Sequence, residues 1–219
     1  MVSNKSYQQY CGIAAALDLV GDRWTLLILR ELSFGEQRFT DLRAGLPGIA
    51  TNLLAERLRH LEDAGLVEQR ELPAPAARTV YALTRDQGRR IVPVLRALAQ
   101  FGLPFLDDPV EGKVRPRTAV YGGLAALLDP AAAAGEDLLL RFELDGDDLW
   151  LQVRDGRIVR ADRSATPDLT FTGSAAALVE VCRGTTTLDA ASARLHVTGD
   201  RAARRLFTRI FALPVRALA

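Results

Sequence analysis

The sequence is poor in the residues on which most site chemistry depends. It has two cysteines, Cys11 and Cys182, and two histidines, His60 and His196. The cysteines lie far apart and no zinc-ligand spacing exists, so a metal site is not expected. Neither histidine has a nucleophile partner in sequence, which leaves no base for acyl or phosphoryl transfer. Carboxylates are frequent, but Asp145, Asp147 and Asp148 crowd one turn, where they solvate a loop. Gly122-Gly123 lacks the lysine and the preceding strand of a phosphate-binding loop. An enzyme is therefore not expected, and neither is a cofactor. No apolar run is long enough to cross a membrane and no signal peptide precedes Val2, so the expected location is the cytoplasm, with no membrane partner. Strong net charge is also missing: the balance over 219 residues is +1, and residues 1–107 carry 13 basic against 12 acidic side chains. Any attraction to a polyanion must come from the arrangement of charges and not from their sum.

What is present is concentrated between Arg38 and Arg70. Phe39, Leu42 and Leu46 mark a short helix, Pro47-Gly48 breaks it, and a longer helix runs from Asn52 to Ala64. Thr51 and Asn52 are N-cap candidates. Leu54, Leu58 and Leu61 fall at i, i+4 and i+7 and form one buried stripe. The opposite face carries Asn52, Ala55, Glu56 and Arg59, with Arg57 on a flank. Two helices joined by a tight turn form the unit that lays its second helix in the DNA major groove. An ordinary amphipathic helix with a solvated face has the same periodicity. The residues after the helix favour DNA binding: two β-rich runs, Leu66–Leu72 and Thr79–Leu83, flank a tip at 73–78 with two prolines and Arg78. A hairpin directly after a recognition-type helix is a wing, and Arg70 and Arg78 suit phosphate contact. A surface hairpin with incidental arginines is the alternative.

The stretch from Cys11 to Arg70 resembles the HxlR family of bacterial winged-helix transcription regulators. The resemblance is carried by Cys11, Leu17-Asp18, Gly21-Asp22-Arg23-Trp24-Thr25, Arg38-Phe39, Leu42, Leu46-Pro47-Gly48-Ile49, Leu54 and Arg57-Leu58. Tyr81-Ala82-Leu83-Thr84 and Gly88 extend it. The resemblance implies a homodimer that binds double-stranded DNA at a palindromic operator. It also implies that Cys11 senses oxidants or electrophiles. A thiol at a helix N-terminus has a lowered pKa, whereas a buried cysteine is inert packing. Gly12 stands where the family commonly has proline, so the helix start is open.

Helices are expected from Ile13 to Val20, with Ala14, Leu17 and Val20 on one face, and from Thr25 to Leu32, with Trp24 packed at their junction. Asp86–Leu106 reads as a long helix with a stripe of Ile91, Val94, Leu95, Leu98 and Phe101, which Pro93 would kink. This stripe and the first helix are the expected dimer interface. Packing within the chain is the alternative.

The remaining sequence reads as a second domain. A winged helix over 1–107 and a linker over 108–117 precede an α+β domain over 118–219. Thr118–Leu128 reads as a helix. Alternating runs at 138–144, 149–153 and 158–161, with Asp155-Gly156 as a hairpin signal, and Leu169–Phe171 suggest an antiparallel meander with one wet face. Ser174 caps a helix, Leu195–Val197 is a last strand, and Asp200 caps a closing helix. The order resembles the sterol-carrier-protein-like fold through Asp168-Leu169-Thr170-Phe171-Thr172-Gly173, Arg183-Gly184 and Leu195-His196-Val197-Thr198-Gly199-Asp200. That resemblance implies an apolar tunnel for a lipid-like ligand, lined by Phe142, Leu151, Phe171, Leu178, Val181, Phe207 and Phe211. A closed core needs the same residues.

Taken together, the sequence predicts a dimeric DNA-binding regulator. Thr51, Asn52, Ala55 and Glu56 are expected at base edges. Arg38, Arg57, Arg59 and Arg78 are expected on phosphate, and Thr40 is expected within the DNA interface. The alternative is a lipid carrier whose winged helix serves only interaction or dimerisation.

Overall fold

Leucine burial organises the first half of the chain. The computed structural model describes residues 6–72, 78–159 and 161–211, and the chain divides into two units after Leu95. In the first unit, α1 (Gly12–Val20), α2 (Thr25–Ser33), α3 (Phe39–Gly45) and α4 (Thr51–Asp63) surround one core, and the hairpin β1 (Val67–Leu72) and β2 (Arg78–Leu83) comes next. Ile28, Leu29, Leu42, Leu54, Leu58 and Leu61 are fully buried there. Each contributes on the order of 2 kcal/mol relative to exposure.

Several local expectations are corrected. The cap of α4 is Ala50, with no side-chain cap bond, so Thr51 and Asn52 lie inside the first turn. Buried Leu46 and Ile49 hold the turn instead. In α1, Ala14 and Val20 are buried but Leu17 is 42% exposed. Leu17 shares its side of the helix with exposed Ile13, one turn away. Gly48 has φ +90° in the break between α3 and α4, a conformation that costs an L-residue roughly 1–2 kcal/mol.

The wing pairs in antiparallel register from Val67↔Leu83 to Leu72↔Arg78. Its tip, residues 73–77, lies outside the described residues. Gln37 adds a one-residue bridge to Tyr81, its amide donating to the Tyr81 carbonyl at 2.9 Å and its carbonyl accepting the return bond at 2.7 Å. At the base of the wing, Thr84 Oγ1 donates to the Gly65 carbonyl at 2.7 Å and accepts from the Gly88 amide at 2.8 Å. A Cβ on Gly88 would collide with the Leu66 carbonyl oxygen, so this joint requires glycine.

A 3₁₀ turn at Gly88–Arg90 leads into α5 (Ile91–Gly102), and a second covers Leu103–Phe105. Pro93, expected to kink this helix, sits in the first turn of α5, where a missing amide costs nothing. Ile91, Val92 and Leu95 pack on the first core, yet α5 has no fully buried residue.

In the second unit, Thr118–Leu124 is a π-helical segment that runs into α6 (Ala125–Leu127). An α-helix was expected here; Gly122-Gly123 weakens α-helical preference, and Tyr121 Oη donates to the Trp150 carbonyl at 2.8 Å. Within the segment 108–117, Val114 packs on the second core. Arg183 Nη1 donates to the Asp107 carbonyl and to Asp108 Oδ1, both at 3.1 Å.

Strands β3 (Asp137–Leu144), β4 (Asp147–Arg154), β5 (Arg157–Val159), β6 (Leu169–Gly173) and β7 (Leu195–Gly199) form one sheet in the order β5-β4-β3-β6-β7. This is a mixed sheet and not the expected antiparallel meander, because β6 pairs with β3 in parallel, Leu140↔Leu169 through Leu144↔Gly173. The residues between β5 and β6 are too many for a hairpin, so the chain crosses to the far side of β3. Helices α7 (Ala175–Arg183) and α8 (Arg201–Ile210) complete the unit. Both caps are as expected: Ser174 Oγ accepts from the Ala177 amide at 3.2 Å, and Asp200 Oδ1 from the Ala203 amide at 2.6 Å.

Phe142 and Phe171 stack at 4.8 Å between ring centroids, and Phe207 lies 4.9 Å from both Phe171 and Phe211. Phe171→Ala is expected to cost roughly 3–5 kcal/mol through the cavity it leaves. A urea titration monitored by tryptophan fluorescence measures this, and a midpoint unchanged from wild type refutes the packing described.

Candidate nucleic-acid interface

The face of α4 opposite its leucine stripe is open. Thr51, Asn52, Glu56 and Arg59 are exposed and Ala55 is half-buried. Arg38 and Thr40, at the start of α3, are exposed as well. The structure therefore places six of the expected interface residues at the surface of α3 and α4, on elements held by one core. Arg78 opens β2, and its side chain lies outside the described residues.

Two arginines differ from the sequence expectation. Arg57 is largely buried, and its Nη1 donates to Glu56 Oε1 at 3.0 Å and stands 3.3 Å from Asp22 Oδ2. Arg70 Nε donates to Glu68 Oε1 at 2.8 Å, and Nη1 stands 4.0 Å from Glu36. Sequence position gave no sign of Asp22 and Glu36, which reach the arginines only through the fold. Gly65, Glu68, Arg70 and Thr84–Gln87 line an open groove of about 590 Å³ at the base of the wing.

Sequence reasoning also missed Glu31. It is buried, paired with Arg30 at 2.6 Å, and its backbone carbonyl accepts from Gln37 Nε2 at 2.5 Å. A Cβ on Gly45 would stand 2.9 Å from the Glu31 carboxylate, so the end of α3 is fitted around this charge. A lone glutamate in an apolar helix was the available signal.

A scan against family models matches residues 19–109 to the HxlR-like helix-turn-helix. The transcriptional regulator YvaP of Bacillus subtilis strain 168 is 35% identical over 92 residues, which is 42% of this chain and 84% of that one. The chain belongs to the HxlR family. A second regulator, sll1512 of Synechocystis, is 39% identical over 98 residues, covering 45% of this chain and 72% of its own. Among solved structures, the reduced form of the transcriptional regulator YodB from B. subtilis is 31% identical. It covers 45% of this chain and 97% of its own, with a TM-score of 0.39. As a member of the HxlR family, the chain is a helix-turn-helix transcriptional regulator.

The two cysteines of this HxlR chain are opposites. Cys11 is exposed at the N-cap of α1, where the amides of Ala14 and then Ile13 stabilise the thiolate and lower its pKa. Cys182 is buried in the second core, and desolvation pushes its thiol up to about 12. The seven residues expected to line a tunnel do come together, but they fill the space. Phe142, Phe171, Leu178, Val181 and Phe211 have no surface open to a water-sized sphere, and Leu151 and Phe207 almost none. Among the described residues there is no cluster of His, Cys, Asp or Glu that could hold a metal ion, and no helix is long and apolar enough to cross a membrane.

The thiols are expected to separate under iodoacetamide. Cys11 is expected to react with a pH midpoint below that of a free cysteine, and Cys182 to stay unmodified until the protein unfolds. Peptide mass spectrometry reads both, and labelling of native Cys182 refutes the packing of the second core.

Proposed function

We propose that the chain binds an operator in double-stranded DNA as a homodimer and acts in the cytoplasm. One observation carries this reading: α4 buries Leu54, Leu58 and Leu61 completely while Thr51, Asn52, Glu56 and Arg59 stand clear of the protein. An exposed helix face of small, amide and charged groups meets the requirement for entering a major groove. Thr51, Asn52, Ala55 and Glu56 contact base edges. Arg38, Thr40, Arg59 and Arg78 hold the backbone and set the register.

Unpartnered apolar surface supports the dimer. In the first unit Tyr10, Ile13, Leu17 and Val94 are exposed, and in the second unit Leu98, Phe101 and Phe105 are, Phe101 at 71%. Val94, Leu98 and Phe101 fall on one stripe of α5. Such a stripe is a liability in a monomer and an interface in a dimer. In the second unit, strands leading to helix, strand and helix support a sterol-carrier-like arrangement. The filled phenylalanine core speaks for a structural or interaction role and against the lipid carrier, which needs an open tunnel.

A gel shift on the DNA upstream of the chain's own gene tests binding. Arg59→Ala is expected to weaken it and to reduce the dependence of log K on log salt by about 0.9, the effect of one phosphate contact. An unchanged slope counts against the assignment. Leu98→Glu is expected to halve the mass seen by light scattering and to lower operator affinity with it. A wild-type monomer at micromolar concentration removes the dimer.

A further inference from the structure

The Arg57 guanidinium is engaged from within the protein. Its Nη1 is shared between Glu56 Oε1 at 3.0 Å, on the open face of α4, and Asp22 Oδ2 at 3.3 Å, in the turn between α1 and α2. The side chain is only 17% exposed, and Nε is buried with no hydrogen-bond partner among the described residues. The Asp22 turn is itself fixed. Trp24, with φ +79°, packs on the first core, and Arg23 lies over its ring at 5.8 Å. A Cβ on Gly48 would stand 3.9 Å from Trp24 Cη2. One turn thus reaches the helix-turn-helix break through Trp24 and the recognition helix through Asp22.

We propose that Asp22 is a positioning residue for base recognition, acting through Arg57 on Glu56. This rests on the first unit being a DNA-binding winged helix. Arg57 is an internal tether and not a phosphate ligand. Glu56 is 61% exposed, and its carboxylate can accept from an exposed base amino group such as cytosine N4. Left alone, a glutamate on a flexible stem would turn away from the phosphates. Arg57 fixes its rotamer, and Asp22 keeps Arg57 from swinging out to the backbone. The trio holds two carboxylates and one guanidinium, so it carries one net negative charge. That charge weakens binding to arbitrary duplex and is offset only where a base amino group meets Glu56. The device therefore serves selectivity more than affinity.

The test uses the full chain, a duplex selected by it from a random library, and an unselected duplex of equal length. Anisotropy titrations compare wild type, Asp22→Asn, Arg57→Gln and Glu56→Gln. Asp22→Asn is near-isosteric and is expected to keep the wild-type melting temperature. It is expected to bind the unselected duplex more tightly and to lose about tenfold in discrimination at the base pair that Glu56→Gln also relaxes. Arg57→Gln is expected to leave the salt slope unchanged. Weaker binding by Asp22→Asn with the base profile intact would mean a purely structural role and would overturn the proposal. So would a slope lower by about one in Arg57→Gln, which marks a lost phosphate contact. If wild type selects no duplex, the winged-helix reading falls, and this inference with it. If wild type selects one and Asp22→Asn behaves identically, only the inference falls.

Discussion

Three leucines on one side of α4 hold the first half of the molecule together. Leu54, Leu58 and Leu61 meet Ile28, Leu29 and Leu42 in a core closed to water. A helix can bury only one stripe against a single layer of partners, so its other side must face out. The polar face of α4 is thus a consequence of packing. The turn at Pro47-Gly48 and the joint at Thr84 and Gly88 then set where α3 and the wing stand around that helix. Single substitutions at these glycines would disturb the interface without touching it.

Electrostatics in this half works by allocation. With basic and acidic side chains nearly balanced, the protein lacks the broad positive field that draws many nucleic-acid binders to their target. Carboxylates occupy some arginines and leave others open. Arg57 and Arg70 are held by Asp22, Glu56, Glu68 and Glu36, while Arg38 and Arg59 remain at the surface. Weak long-range attraction to a polyanion is the physical result, which under the proposed function shifts weight to local contacts. Cys11 fits the same pattern of local control, since two backbone amides tune an exposed thiol in a region with little net charge.

The second unit is built differently. Its sheet buries one face under α7 and α8, where four phenylalanine rings pack in a column. The opposite face is ionic: Arg141 pairs with Glu143 at 2.8 Å and Asp148 at 3.0 Å, and Trp150 lies under the guanidinia of Arg141 and Arg163. Such pairs on a half-exposed sheet add little to stability, but they keep a wide strand face soluble. Leu98, Phe101 and Phe105 of this unit, by contrast, are exposed apolar side chains.

Much of this was readable from residue order, because helices and strands announce themselves by period and by caps. The 3.6-residue spacing of the leucines placed α4, Pro47-Gly48 placed its turn, and Ser174 and Asp200 placed α7 and α8. These signals are local, and each needs only a few neighbouring residues to act. The HxlR motifs, from Gly21-Asp22-Arg23 to Gly88, marked the family for the same reason. What the order of residues left open depends on partners distant in the chain. The parallel pairing of β6 with β3, the Gln37 bridge to Tyr81, the Asp22 hold on Arg57 and the closure of the phenylalanine core are of this kind. Periodicity says which face of an element is apolar. Only tertiary packing decides what that face meets, how much space is left, and which charge is already spent.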